Sequence, residues 1–335
     1  MIPTVSVIIP VYGRFNLLKY AVESVLAQTH PVSEIILIDD GSIDETPQVL
    51  PDYIAANPAW RERVRYFYQE NQGPSAAINN GIARASGEWL AFIATDDLWL
   101  PWKLEWQFRA LDKYKYQCGL CFTDAWFMND PRQKTTVFQI FGNLGNELLG
   151  MISDPVRLMA DHKWWVWCQT VLVRTSLARS IGGFDPLLRH GEDADFLFRM
   201  ALVSPFCYVG TPMVLIDRSP TEVKHFGEAA HWRDYEFCLR MHERRLEKQL
   251  DLTASLGSGI RRSTRRDLRR LYSQLATVYL WRGECDKARE SLSNALRYGL
   301  DHMVVLKWVV ARLGPAAARK VTDVYRRGRE PSVLM

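Results

Sequence analysis

The sequence predicts an α/β protein built on a mostly parallel sheet, followed by an α-helical extension. Three observations predict it. Across residues 1–115, short runs rich in β-branched and aromatic residues alternate with stretches of helical length and spacing, the pattern of successive βαβ units. Two aspartate pairs, Asp39-Asp40 and Asp96-Asp97, each close one of those apolar runs, and strand carboxyl ends are where open α/β sheets hold ligands. Beyond about Ala230 the apolar spacing is helical throughout.

Taken in order, Val5-Ser6-Val7-Ile8-Ile9 reads as the first strand, and Phe15 to Gln28 as a helix with Leu18, Ala21, Val22, Val25 and Leu26 on its apolar face. Ile35 to Ile38 is the second strand, and Ser42 or Asp44 the N-cap of the helix after it. Val64 to Tyr68 is a third strand, followed by a helix from Pro74 to Ala85 that ends at Ser86-Gly87. Trp89 to Thr95 is the fourth strand, and Pro101 to Lys115 a helix with proline in its first turn. Cys118 to Phe122 is strand-like, and residues 124–155 read as irregular. Thr170 to Val173 returns to strand, Gly182-Gly183-Phe184-Asp185 marks a turn, Asp193 to Leu202 is helical, and Phe206 to Ile216 is strand. The division expected is a domain over 1–230 and a helical extension over 231–335, and the break at Gly257-Ser258-Gly259 reads as a domain boundary. Within the extension, residues 268–297 read as helix, glycine turn and helix, one tetratricopeptide-like hairpin and not an array, which needs about three repeats.

Composition places the chain among globular proteins: 335 residues, 47% hydrophobic and 24% charged. No window approaches the run of about 18 apolar residues that a spanning helix needs, and no secretory leader pattern opens the chain. The expectation is a cytoplasmic protein with its six cysteines as free thiols. Cys118 and Cys121 form a C-x-x-C, but no second pair follows at zinc-site spacing, so core packing is favoured over metal or redox chemistry. The net charge of +4 conceals an asymmetry: from Ser258 onward 17 Lys and Arg face 7 Asp and Glu, so the preceding part is acidic.

The chemistry points to a polar ligand. Neither G-x-G-x-x-G after the first strand nor G-x-x-x-x-G-K-[ST] anywhere is present, so bound phosphates need another means of neutralisation. Asp96-Asp97 supplies one, since Mg2+ or Mn2+ is held by one or two carboxylates together with substrate phosphate oxygens. Glu192-Asp193 is a third acidic group, at the start of a helix; read alone, such a pair caps the helix.

Five stretches, in order, carry a resemblance. They are residues 5–12 (VSVIIPVY), 38–44 (IDDGSID), 71–81 (NQGPSAAINNG), 87–97 (GEWLAFIATDD), and the Gly182-Gly183-Phe184-Asp185 turn with residues 192–196 (EDADF). Together they resemble the family 2 glycosyltransferases over about Val5 to Asp217. The resemblance implies the GT-A fold, with a nucleotide-sugar-binding half at 1–115 and an acceptor half at 116–230. It implies that Asp40 hydrogen-bonds the base, with Asp39 as its alternate, and that Pro10, Val11 and Tyr12 line the base pocket. Asn79, within the third stretch, joins the nucleotide-sugar set. Asp96 and Asp97 correspond to the D-x-D-type pair at ribose, diphosphate and metal, and Asp193 to the catalytic base of inverting members. Two positions depart from the family pattern: Ala94 stands where many members carry Asp, and Ile78 where many carry Arg.

The activity implied is transfer of a sugar from a nucleotide-diphosphate sugar, with UDP the expected nucleotide, to an acceptor hydroxyl with inversion. The acceptor implied is a saccharide or a lipid-linked sugar, in cell-surface polysaccharide or glycolipid synthesis, and the cofactor Mn2+ or Mg2+. Trp99, Trp164, Trp165, Trp167 and Glu192 are acceptor-site candidates, although tryptophans at such positions are also ordinary core material. His225 is a candidate third metal ligand, against the commoner reading of a surface histidine. The basic stripe Arg261-Arg262, Arg265-Arg266, Arg269-Arg270 reads as a solvated helix face, with peripheral contact to an anionic membrane as the alternative. No stacking or base-reading module accompanies it, so nucleic acid is not an expected partner. The rival reading is a nucleotide-sugar-binding scaffold weak in catalysis, for which Ala94 is the sole support.

Overall fold

The computed structural model describes residues 2–128, 135–142, 147–160, 166–217, 232–254, 256–314 and 316. They belong to two compact units, Met1–Pro220 and Thr221–Met335.

In the first unit β1 (Val5–Val11) lies between β2 (Glu34–Asp40) and β4 (Trp89–Phe92), parallel to both, and β3 (Val64–Gln69) extends the parallel run beyond β2. All seven residues of β2 are buried, its acidic ends included, as expected for a strand covered on both faces. The sheet continues through β8 (Val171–Arg174), antiparallel to both β4 and β6 (Leu120–Phe127), and then through β9 (Phe206–Ile216). The two-residue β5 (Leu98–Trp99) and β7 (Leu149–Ile152) both pair antiparallel to β9. Among the described residues the order is β3-β2-β1-β4-β8-β6-β9-β5, with β7 also on β9. The sheet is mixed and mostly parallel in the half where βαβ units were expected.

Helices α1 (Phe15–Leu26), α2 (Thr46–Ala56), α3 (Pro58–Arg63) and α4 (Pro74–Arg84) belong to the parallel half, and α5 (Lys103–Lys113) links β5 to β6. The buried Leu18, Ala21, Val22 and Val25 of α1 form the apolar face expected from their spacing. Helix α4 approaches β1 so closely that a Cβ on Gly81 would stand 2.5 Å from Cγ2 of Ile8. At the start of β2, Glu34 accepts from Ser6 Oγ and Ser86 N at 2.7 Å and pairs with Arg65 at 2.7 Å. These bonds outweigh burial and hold its carboxyl at about 2. The amino ends of β1 and β2 are thereby tied together, away from the aspartate pairs.

Several boundaries differ from the sequence reading. The fourth strand stops at Phe92 and not at Thr95, because the chain turns so that Asp97 N–H bonds the Ala94 carbonyl at 3.3 Å. Helix α2 begins at Thr46, where Asp44 accepts the Thr46 N–H at 3.0 Å, and Ser42 accepts from Gly13 instead of capping. Within the stretch read as irregular, β6 runs on to Phe127, and α6 (Val137–Phe141), β7 and α7 (Pro155–Ala160) form. Strand β7 exists only by pairing with β9, a partner distant in sequence.

A 3₁₀ turn, Cys168–Thr170, leads into β8, and α8 (Thr175–Ser180) precedes the double-glycine turn before α9 (Glu192–Val203). The second unit holds α10 (Trp232–Leu252), α11 (Ser258–Arg282), α12 (Cys285–Arg297) and α13 (His302–Arg312). Leu239, Leu246, Leu268, Leu275, Tyr279 and Leu292 lie in its core. The expected hairpin is α11 and α12, joined at Gly283 with φ +77°. Gly257 is the N-cap of α11. Among the described residues no helix is long and apolar enough to cross a membrane, and all six cysteines are free thiols.

Candidate active site

Because β1, β2 and β4 run parallel, their carboxyl ends share one edge of the sheet, and the register sets Val11 beside Asp39. Both aspartate pairs therefore rise at that edge. Asp39 is fully buried; its Oδ1 accepts the Ser42 N–H at 2.8 Å and its Oδ2 the Tyr66 hydroxyl at 2.8 Å. Burial and the bond to Asp39 push the Tyr66 phenol up. Asp40 accepts three bonds, from Gln69 Nε2 at 2.7 Å and from the Gln72 and Gly73 N–H groups at 2.8 Å. These donors make burial of two adjacent carboxylates tolerable. They also anchor the loop that opens α4 to the end of β2.

After β1 the chain reverses through Gly13 at φ +66° and Arg14 at φ +64°. A Cβ on Gly13 would stand 2.7 Å from Oδ2 of Asp44, and that oxygen accepts the Arg14 N–H at 3.0 Å. The turn aims the Arg14 guanidinium at Asp96, with Nη1 to Oδ2 at 2.6 Å and both side chains mostly buried. Asp97 is 2% exposed, and its Oδ1 accepts the Asp217 N–H at 3.0 Å, tying the second pair to the end of β9.

The third acidic group reaches the same edge by another route. β8 runs antiparallel to β4, with Leu172 beside Ala91, so the start of β8 lies at the carboxyl end of β4. The 3₁₀ turn sits there, and its Cys168 N–H donates to Asp193 Oδ2 at 3.3 Å. Helix α9 is oriented by Phe196, whose ring stacks on Phe184 at 4.2 Å, while Phe92 meets both edge-on. Asn79 clasps the Phe184 backbone with both ends of its amide at 2.7 Å. The third and fifth sequence stretches are thus one packed unit at the end of β4. Burial and the adjacent Asp193 charge raise the Glu192 carboxyl to about 7. Burial and Asp193 likewise push the Cys168 thiol up.

The structure brings Asp39, Asp40, Asp96, Asp97, Glu192 and Asp193 to one edge. Tyr12 is exposed there, and Pro10 and Val11 close β1, Val11 with 1% exposure. Asn79 works as a backbone clasp. Trp99, an acceptor candidate by sequence, is 3% exposed, donates its Nε1–H to the Gln169 carbonyl at 3.1 Å and carries Lys103 over its ring. Its ring therefore has no open face for a sugar. Trp167 is half-buried and meets Phe127 edge-on. Trp164, Trp165 and His225 lie outside the described residues. Sequence reasoning missed Tyr66, Gln69, Arg14 and the Cys168 amide. Gln69 was within reach of it, because it faces Asp40 in the β2–β3 register.

No group of three His, Cys, Asp or Glu side chains able to hold a metal occurs among the described residues. The donor set at this edge is two hard carboxylates, Asp96 and Asp97. That fits a cation of the Mg2+ or Mn2+ type, which takes one or two protein carboxylates and completes its shell from phosphate and water.

Residues 6–159 match the model of the family described as glycosyl transferase family 2. Over that stretch the chain is similar to the family 2 glycosyltransferases. An uncharacterized glycosyltransferase of Rickettsia typhi is 31% identical over 202 residues, 60% of each chain. The putative teichuronic acid biosynthesis glycosyltransferase TuaG of Bacillus subtilis is 38% identical over 122 residues, 36% of this chain and 46% of that protein. The matched part thus spans less than two thirds of these relatives' lengths. Among solved structures, S. aureus TarS 1-349 in complex with UDP superposes with a TM-score of 0.64 at 17% identity, covering 98% of this chain and 93% of that one. The mannosyltransferase PcManGT of Pyrobaculum calidifontis, in complex with GDP-Man and Mn2+, gives 0.53 at 15% identity, covering 98% and 88%. The fold is GT-A, shared with TarS.

Proposed function

We propose that this protein transfers a sugar from a nucleoside-diphosphate sugar to an acceptor hydroxyl, with inversion at the anomeric carbon. The observation that carries the reading is the convergence of three acidic groups at the carboxyl edge of the sheet: Asp39-Asp40 on β2, Asp96-Asp97 after β4 and Glu192-Asp193 on α9. UDP is the nucleotide favoured, because TarS shares the fold and was solved with UDP and with UDP-GlcNAc.

In this reading the base lies beside Tyr12 at the ends of β1 and β2, with Asp40 facing it and Asp39 braced by Tyr66. Asp96 and Asp97 face the ribose and diphosphate, and Arg14 adds positive charge beside them. A divalent cation held by Asp96 and Asp97 would neutralise charge on the departing diphosphate. Asp193 takes the proton from the acceptor hydroxyl as that oxygen attacks, since a neutral hydroxyl is a weak nucleophile. The Cys168 amide orients the Asp193 carboxylate. One displacement then inverts the anomeric centre. The acceptor proposed is a saccharide or lipid-linked sugar of the cell surface, in line with TuaG, named for teichuronic acid biosynthesis. The exposed Arg262, Arg265, Arg266 and Arg270 of α11 suit peripheral contact with an anionic membrane face.

The test is turnover of a nucleotide-diphosphate-sugar panel with Mn2+, reading the product's anomeric configuration by NMR. No transfer or hydrolysis with any donor would refute the reading, and a retained configuration would refute inversion. Asp193→Asn is expected to lower kcat by about 10²–10⁴-fold, the usual worth of a general base, with UDP affinity unchanged by calorimetry. A fully active variant would remove Asp193 from that role.

A further inference from the structure

Behind the site stands a polar pair that the proposed chemistry does not use. Lys103 and Gln107, one turn apart on α5, are both fully buried. Lys103 Nζ donates to Gln107 Oε1 at 3.0 Å and to the Val171 carbonyl at 3.4 Å, and lies 4.0 Å from the centre of the Trp99 ring. Gln107 Nε2 donates to the Thr170 and Cys121 carbonyls, each at 3.0 Å. Among the described residues no carboxylate pairs with Lys103. An ammonium buried in this way is costly, and a methionine would fill similar space without the charge. Core stability therefore does not explain the residue.

The bonds have a common target. With the Trp99 indole on the Gln169 carbonyl, three consecutive carbonyls, those of Gln169, Thr170 and Val171, are each held by a side chain of β5 or α5. These carbonyls belong to the 3₁₀ turn and the first residue of β8. The same turn is closed by Thr170 N–H and Oγ1 on the Trp167 carbonyl, and it presents the Cys168 amide to Asp193. Trp99 follows Asp97 by two residues. The pair thus braces one backbone segment from the side of the Asp96-Asp97 loop and fixes its opposite side against Asp193.

We propose that Lys103 and Gln107 are positioning residues that hold the Cys168–Thr170 turn, and through its Cys168 amide the Asp193 carboxylate, in register with the Asp96-Asp97 loop. The link to turnover rests on the glycosyl-transfer reading; the brace on the turn does not. Neither residue touches substrate. Their loss acts on the step in which Asp193 takes the proton and leaves donor binding intact.

The test uses Lys103→Met and Gln107→Met in the full chain, with two readouts. Amide hydrogen exchange, followed by mass spectrometry on peptides covering 166–171, is expected to quicken about tenfold or more in each variant while β1 peptides stay unchanged. With an active donor, kcat is expected to fall about tenfold or more, since small misplacements of reacting groups are costly, while the donor KM stays within about twofold. The double variant should lose no more than the worse single one, because both act through one turn. Unchanged exchange at the turn overturns the proposal, as does faster exchange with unaltered kcat, or a donor KM that rises as kcat falls. A parent protein inactive with every donor would defeat the glycosyl-transfer reading, and exchange alone would then decide the brace. If Lys103→Met does not fold, Gln107→Met, which leaves the lysine in place, carries the same readouts.

Discussion

Replacing Lys103 by methionine should make the protein more stable at neutral pH and abolish a distinctive rise of stability with pH. Burial lowers the Lys103 ammonium from its usual 10.5 to about 7, with the Cys121 thiol on β6 as the opposing titratable neighbour and Trp99 and Gln107 as its neutral contacts. In the unfolded chain the group keeps its ordinary affinity for a proton, so between these two values the unfolded state binds more protons than the native one. Stability must then rise with pH across that window. The penalty is fully present below about pH 7 and gone above about pH 10.5. Between about pH 7 and pH 9.5 the linkage amounts to roughly 3 kcal/mol, taking about 1.4 kcal/mol per pH unit and half-protonation at the lower limit. Against this, methionine leaves Gln107 Oε1 and the Val171 carbonyl without a donor, a loss of about 1–3 kcal/mol. Over the whole window the penalty at pH 7 is about 4 kcal/mol, so the net expectation is a gain of about 1–3 kcal/mol near pH 7 that shrinks and reverses as the pH is raised. Urea unfolding of parent and variant at several pH values gives the difference directly, because all other titrations cancel. Parallel stability curves for the two proteins would refute the reasoning, since an uncompensated buried ammonium cannot be pH-neutral.

Other expectations follow from the same geometry. Glu34→Gln should cost about 2–3 kcal/mol at pH 7 in urea unfolding; the carboxyl is held at about 2, so this stability is present above about pH 4.5 and is lost as pH falls through about 2. Glu192 has its carboxyl raised to about 7, so it costs stability as pH rises from about 4.5 through 7, and Glu192→Gln should recover about 1–2 kcal/mol at pH 8, the residue being partly exposed. Arg14→Met frees Asp96 of its guanidinium and should tighten Mn2+ binding without nucleotide by about two- to fivefold, read by EPR, in keeping with a pair worth about 0.5–1 kcal/mol.

The parallel half of the sheet was legible because its signals are local. The run expected over Val64 to Tyr68 became β3 with one residue added, and α4 stops one residue before the expected Ala85. The aspartate pairs were legible because a carboxylate at the end of a buried run is costly unless donors or a ligand meet it. The direction of β8 was not legible, since a run of Val and Leu carries no sign of which neighbour it meets or how; pairing with β4 and β6 decides that. For Lys103 and Gln107 a signal did exist, as two polar residues at helical spacing share a face with Leu104, Phe108 and Leu111. Their purpose was hidden, because the Thr170 and Val171 carbonyls they hold lie more than sixty residues further along the chain.

What the sequence determined by itself is the alternating architecture, the family resemblance and the set of acidic groups, all of them expressed in short ordered stretches that need no knowledge of distant partners. What only the tertiary structure decided is how those groups are held. Asp39 depends on Tyr66, Asp96 faces Arg14, and Asp193 meets the Cys168 amide through a turn braced from α5. The physical reason is that a buried carboxylate must find its donors wherever the fold brings them within about 3 Å, and that proximity is a property of chain reversal and strand order, not of neighbouring letters.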